Sequence, residues 1–134
     1  MKYAERNYKE KGKKDMTALE KANIAVKALD DKKASNIELL DVAQQTSLGE
    51  YFVIASCQSS VQVRACADEV EEQLDEAGIA VLHREGYSTG SWILMDYGDV
   101  IVHVMQQEAR EFYGIERLWD DAGTVKKTEE ETEE

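Results

Sequence analysis

The chain has 134 residues, 43% of them hydrophobic and 33% charged, which suits one globular domain with a real hydrophobic core. No apolar run approaches the ~18 residues of a membrane span, and the opening M-K-Y-A-E-R-N-Y-K-E lacks the apolar segment of a secretory signal, so a cytoplasmic protein is expected. Of the net charge of −12, residues 1–16 carry +3 and residues 124–134 carry −3, leaving −12 on the body; such a body repels nucleic-acid phosphate and suits a basic partner.

Residues 1–16 are polar and basic without apolar periodicity, and read as an N-terminal arm. Thr17-Ala-Leu-Glu20 has the pattern of a capping box. From there Ala18, Leu19, Ala22, Ala25, Val26 and Leu29 recur at helical spacing to about Lys33. Asn36 to Val42 reads as a strand, and Glu50 to Cys57 as a second strand apolar enough to be central. Ser59-Ser-Val-Gln62 opens another helix through Val63, Ala67, Val70 and Leu74, which Gly78 ends. Ile79 to Glu85 is the third strand, and the segment 50–85 invites a parallel pair with a crossover helix.

The stretch S-W-I-L-M-D-Y-G-D-V-I-V-H-V supplies strands four and five as a hairpin. A turn at Tyr97-Gly98 pairs Asp96 with Asp99, Leu94 with Ile101 and Trp92 with His103. One face is then Ile93, Met95, Val100, Val102 and Val104. The other carries Trp92, Leu94, Ile101 and His103 and ends in two carboxylates. Gln107 to Tyr113 returns to helix, and I-E-R-L-W closes the body. Residues 120–134 read as a disordered acidic tail. The expected fold is α/β (α+β), a mixed sheet of about five strands with flanking helices.

Chemical motifs are sparse. A Walker loop, a G-x-G-x-x-G fingerprint, a G-x-S-x-G elbow and an H-E-x-x-H helix are all missing. Ser56, Ser59 and Ser60 lie between strand and helix, where a nucleophile could sit, but capping requires the same residues there and no base stands near in sequence, so capping is the preferred reading. Cys57 and Cys66 fit no common zinc or redox spacing and read as buried small hydrophobes. Asp96 and Asp99, opposed at ~5 Å, would repel by roughly 3 kcal/mol, which a metal or a partner's Lys or Arg would relieve. A solvated turn or a partner contact is the preferred reading. Trp92 left exposed forgoes about 5 kcal/mol of burial. An aromatic and aliphatic patch edged by Glu85, Asp96 and Asp99 therefore suits a basic protein.

E-Y-F-V-I-A-S, R-A-C-A-D-E-V, R-E-G, S-W-I-L-M-D-Y-G-D-V-I-V-H-V-M and E-A-R-E-F-Y-G-I-E-R-L-W together resemble the ribosomal silencing factor RsfS (Iojap) family, over about residues 17–119. The resemblance implies a non-enzymatic protein with a nucleotidyltransferase-like fold and neither cofactor nor metal. It also implies binding to the large ribosomal subunit through universal large-subunit protein number fourteen, which blocks subunit joining and represses translation. The partner-binding residues would be Glu85, Trp92, Leu94, Asp96, Tyr97, Asp99 and His103. Family members usually carry Gly where Cys57 stands and Arg where Val61 stands. The competing expectations are a metal-dependent nucleotidyltransferase using Asp96 and Asp99, and a homodimer that buries Trp92 against its own copy.

Overall fold

In the computed structural model, residues 16–119 and 123–127 are described. The expected arm 1–16 lies outside them except for Met16, and so does the expected tail 120–134 except for one short strand.

Helix α1 (Ala18–Asp31) begins at the foreseen capping box. Thr17 Oγ1 accepts from Glu20 N at 3.1 Å and Glu20 Oε1 accepts from Thr17 N at 2.9 Å. Its buried face is Ala18, Ala22, Ala25, Val26, Ala28 and Leu29, small enough to bring the helix axis close to the sheet. Leu19, placed on that face by periodicity, is instead 38% exposed. Strand β1 (Ser35–Asp41) follows and pairs antiparallel with β2 (Tyr51–Cys57).

Ser59 caps α2 (Ser60–Glu76) through Gln62 N at 3.1 Å. The Gln62 side chain does not close the capping box on Ser59. It accepts from Gln58 N at 2.8 Å and donates to Lys32 O and Lys33 O, satisfying carbonyls at the end of α1. Gly78, at φ +89°, ends α2 as expected; Ile79 N then donates to Leu74 O.

The third strand is shorter than its apolar pattern suggests, with β3 covering only His83–Glu85. His83 pairs with Asp96, the last residue of β4 (Trp92–Asp96), so residues 79–82 run past the end of their neighbour. Ile79 and Val81 still pack against the core without a ladder.

The central strand is β5 (Val100–Gln106), buried along all but its last residue. It pairs antiparallel with β4 and parallel with β2. The parallel pair is thus β2–β5, and β3 stands apart from β2 in the order β3-β4-β5-β2-β1-β6. The five expected strands are all present. The sixth, β6 (Gly123–Lys127), extends the sheet antiparallel to β1, within the segment read as acidic tail.

Helices α1 and α2 cover one face of this sheet, over Ile37, Leu39, Val53, Ala55, Ile93, Met95, Val100, Val102 and Val104. The five residues assigned to the core face of the hairpin all lie here. The opposite face, with Leu40, Phe52, Ile54, Ile101 and Met105, is covered only by the short α3 (Gln107–Tyr113) and a 3-10 turn (Ile115–Trp119) among the described residues.

Candidate functional site

The hairpin reverses at Gly98-Asp99, one residue later than expected. Tyr97 N donates to Val100 O at 2.9 Å, and Gly98 sits at φ +91°, the conformation that two-residue hairpins place on glycine. Asp96 Oδ1 accepts from Gly98 N at 2.8 Å and braces the turn. The one-residue move shifts every cross-strand pair by two. Trp92 lies opposite Met105, Leu94 opposite His103 and Asp96 opposite Ile101, which corrects the expected pairs. A shift of two preserves the alternation, so the faces survive although the register does not.

This register sorts the seven expected partner-binding residues. Trp92, Leu94, Asp96 and His103 share the thinly covered face, and Glu85, paired with Leu94, joins them at the exposed edge strand. Tyr97 does not belong to this group. It is 4% exposed within the core under α1 and α2, and its hydroxyl finds no hydrogen-bond partner among the described residues. Burial pushes that phenol well above its ordinary value, outside any functional range.

Asp99 is also drawn away. Its two carboxylate oxygens accept from Lys21 Nζ of α1 at 3.0 and 3.1 Å, so the expected repulsion with Asp96 is answered from within the chain. Asp96 spends one oxygen on the turn. Among the described residues, no cluster of three or more His, Cys, Asp or Glu side chains is placed to hold a metal.

His103 is 5% exposed and supports Trp92 from below. Trp92 Nε1 donates to His103 Nδ1 at 3.1 Å. Indole can only donate, so the neutral imidazole carries its proton on Nε2. Burial lowers the His103 pKa to about 4, against a smaller upward pull from Glu116.

Above this pair the aromatic rings form a continuous series. Phe52 and His103 have centroids 5.0 Å apart, His103 and Trp92 5.9 Å, Trp92 and Tyr113 5.1 Å, and Tyr113 and Phe112 5.0 Å. The series is buried at Phe52 and emerges at Tyr113 and Phe112, which are 55% and 79% exposed. Leu118 is 72% exposed in the adjoining 3-10 turn.

Phe112 and Tyr113 escaped the sequence reading. The available signal was two adjacent aromatics at the end of a seven-residue helix, too short to hide both on one face.

Arg110 fixes the placement of α3. Although 6% exposed, its guanidinium donates to Glu116 Oε2 at 2.9 Å, Asn36 O at 2.6 Å and Ser56 Oγ at 3.0 Å, with Glu38 Oε2 at 3.4 Å. Ser56, a candidate nucleophile by position alone, is therefore a hydrogen-bond partner of this arginine. Gly114, at φ +51°, then ends α3 with its N–H on Arg110 O. The face that results is an apolar and aromatic surface with Glu85 and Asp96 along one side and Glu111 beside Phe112. Exposed rings of this kind are enriched at protein interfaces, and carboxylates at a rim complement basic surfaces.

The family profile described as "Ribosomal silencing factor during starvation" matches residues 15–134. A ribosomal silencing factor RsfS of Bacillus subtilis is 43% identical over 99 residues, covering 74% of this chain and 84% of that protein. A crystal structure of a Chromobacterium violaceum protein, 41% identical, superposes with a TM-score of 0.77 and covers 78% of this chain and 88% of the other. One from Bacillus halodurans, 38% identical, gives 0.69, with 78% and 94% covered.

Proposed function

This chain belongs to the ribosomal silencing factor RsfS family, and from that premise we propose that it represses translation by docking on the large ribosomal subunit. The aromatic face is the contact surface, and a basic ribosomal protein, universal large-subunit protein number fourteen, is the partner. Occupying that protein blocks the small subunit from joining. The observation that carries this reading is the Trp92–Tyr113–Phe112 series, which leaves large rings in solvent on the sheet face away from the long helices.

Aromatic side chains with apolar neighbours are the groups most often found at interface hot spots, and acids at the rim speed encounter with a basic partner. The role is one of binding, carried out in the cytoplasm where joined ribosomes form. That Asp96 Oδ1 braces the turn and Asp99 pairs with Lys21 supports a binding rather than a catalytic role for this end of the hairpin.

The test is subunit joining. Separated subunits are mixed with and without the chain and resolved on a gradient under joining conditions. Accumulation of separate subunits, with the chain migrating on the large one, supports the reading. Full joining at saturating chain, or migration on the small subunit, contradicts it. If the free chain forms a dimer that hides the same rings, joining is inhibited only above a threshold of dilution, and the sedimentation of the free chain reports that dimer.

A further inference from the structure

Cys57 and Cys66 have no recognisable motif between them in the sequence, yet the fold brings them together. Cys57 is the last residue of β2, and Cys66 lies on the inward face of α2 with Val63, Ala67 and Val70. Both are buried, at 1% and 0% exposure, and their sulfurs are 3.5 Å apart, the Cys57 S–H donating to Cys66. We infer that the two cysteines form a reversible redox site, closing to an intramolecular disulfide on exposure to a peroxide and so clamping the end of β2 to α2.

Geometry carries the inference. A disulfide is about 2.05 Å long, so each sulfur need move by under about 1 Å to close the 3.5 Å gap. Cys57 sits in extended strand backbone and Cys66 in regular helix, so neither residue starts from a strained conformation.

The roles of the two thiols differ. The hydrogen bond from Cys57, with the nearby Lys32 charge, lowers the Cys66 thiol below its ordinary value, while that same bond and burial raise Cys57. Cys66, the sulfur that accepts the Cys57 S–H and is favoured as a thiolate by it against the upward pull of burial, reacts first. It attacks one peroxide oxygen, the O–O bond breaks, hydroxide leaves and Cys66 becomes a sulfenic acid. The Cys57 sulfur then attacks the Cys66 sulfur. The S–O bond breaks, and the departing hydroxide takes the Cys57 proton to leave as water. Two thiols are oxidised by two electrons and one peroxide is reduced.

Burial selects the oxidant. Both thiols are buried, just before the exposed Gln58 and Ser59 in the case of Cys57, so a small peroxide is favoured over a bulky disulfide such as oxidised glutathione. The site lies on the helix-covered side of the sheet, opposite Trp92.

The test treats the reduced full-length chain with a few equivalents of hydrogen peroxide. The chain is then denatured in excess alkylating agent, and its intact mass is measured. The expected product has lost two hydrogens, takes no alkyl group, runs as a monomer on a non-reducing gel and regains both thiols with dithiothreitol. Its thermal midpoint is raised by several degrees. Cys57→Ser should accumulate a sulfenic acid at Cys66 that dimedone captures, at about tenfold the level of Cys66→Ser. Two alkylatable thiols after peroxide, a sulfinic acid as the main product, or disulfide-linked dimers would each overturn the inference. So would oxidised glutathione acting as fast as peroxide.

Discussion

His103 shows how one buried residue makes the sheet face around Trp92 sensitive to acid. Its ordinary pKa is 6.5, and burial lowers it to about 4 in the folded chain. At neutral pH both folded and unfolded forms hold a largely neutral imidazole, and its titration costs little. As pH falls below 6.5 the unfolded chain takes up the proton first, so stability declines until the folded form protonates near pH 4. The full loss is roughly 3 kcal/mol. Urea unfolding of the wild type and His103→Asn between about pH 7.5 and pH 4 should give a difference that narrows as pH falls. Parallel pH profiles would show that His103 is not the buried neutral group described.

Arg110 makes the opposite case, a charge held because every neighbour answers it. Arg110→Met should cost about 3 kcal/mol by stranding Glu116, and adding Glu116→Gln should recover part of it. Full additivity of the two losses in denaturation would contradict the network.

At the scale of elements, the turn decides the register. A methyl group added at Gly98 would meet open space, with Leu82 Cδ1 at an ordinary 3.5 Å, so the cost of a side chain there is conformational rather than steric. Gly98→Ala should therefore lose about 1 kcal/mol in equilibrium unfolding, from the φ of +91° alone. A neutral result would mean that the hairpin turns elsewhere.

The sequence reading misplaced this turn by one residue because Tyr-Gly and Gly-Asp are both acceptable turn centres, and both preserve the alternation of Ile93, Met95, Val102 and Val104. Patterning sees faces, whereas only the turn geometry fixes pairs. The same limit explains β3, where an apolar run marked burial without revealing that β4 is too short to pair with all of it. Strand β6 was hidden by the glutamates that follow it. The candidate face was half legible: Trp92, Leu94, Glu85 and Asp96 follow from strand alternation. Phe112 and Tyr113 required the placement of α3, which rests on contacts from Arg110 to residues 54 and 74 positions away. The placement of Tyr97 in the core and of Asp99 on Lys21 was not legible because the neighbours that claim them, the α1–α2 layer and Lys21, are remote in sequence.

For the whole molecule, the two faces of the sheet divide the work. Helices α1 and α2 bury one face and supply the core, so the opposite face can leave its rings in solvent with its strands already held. Charge complements this arrangement, since the body carries the net −12 and a basic target is approached under attraction. Asp96→Lys or Glu85→Lys should slow association with large subunits, and raised salt should narrow the gap from wild type because screening acts on charges. Salt-independent losses would place those acids away from the interface.

The most direct measurement of the docking claim is the affinity of purified large subunits for the wild-type chain and for Trp92→Ala and Tyr113→Ala, with thermal unfolding run alongside. The expected result is binding to large but not small subunits, weakened by roughly 2 kcal/mol in each variant, with Tyr113→Ala unfolding near the wild-type temperature. Wild-type affinity in both variants, or equal binding to the two subunits, would contradict it.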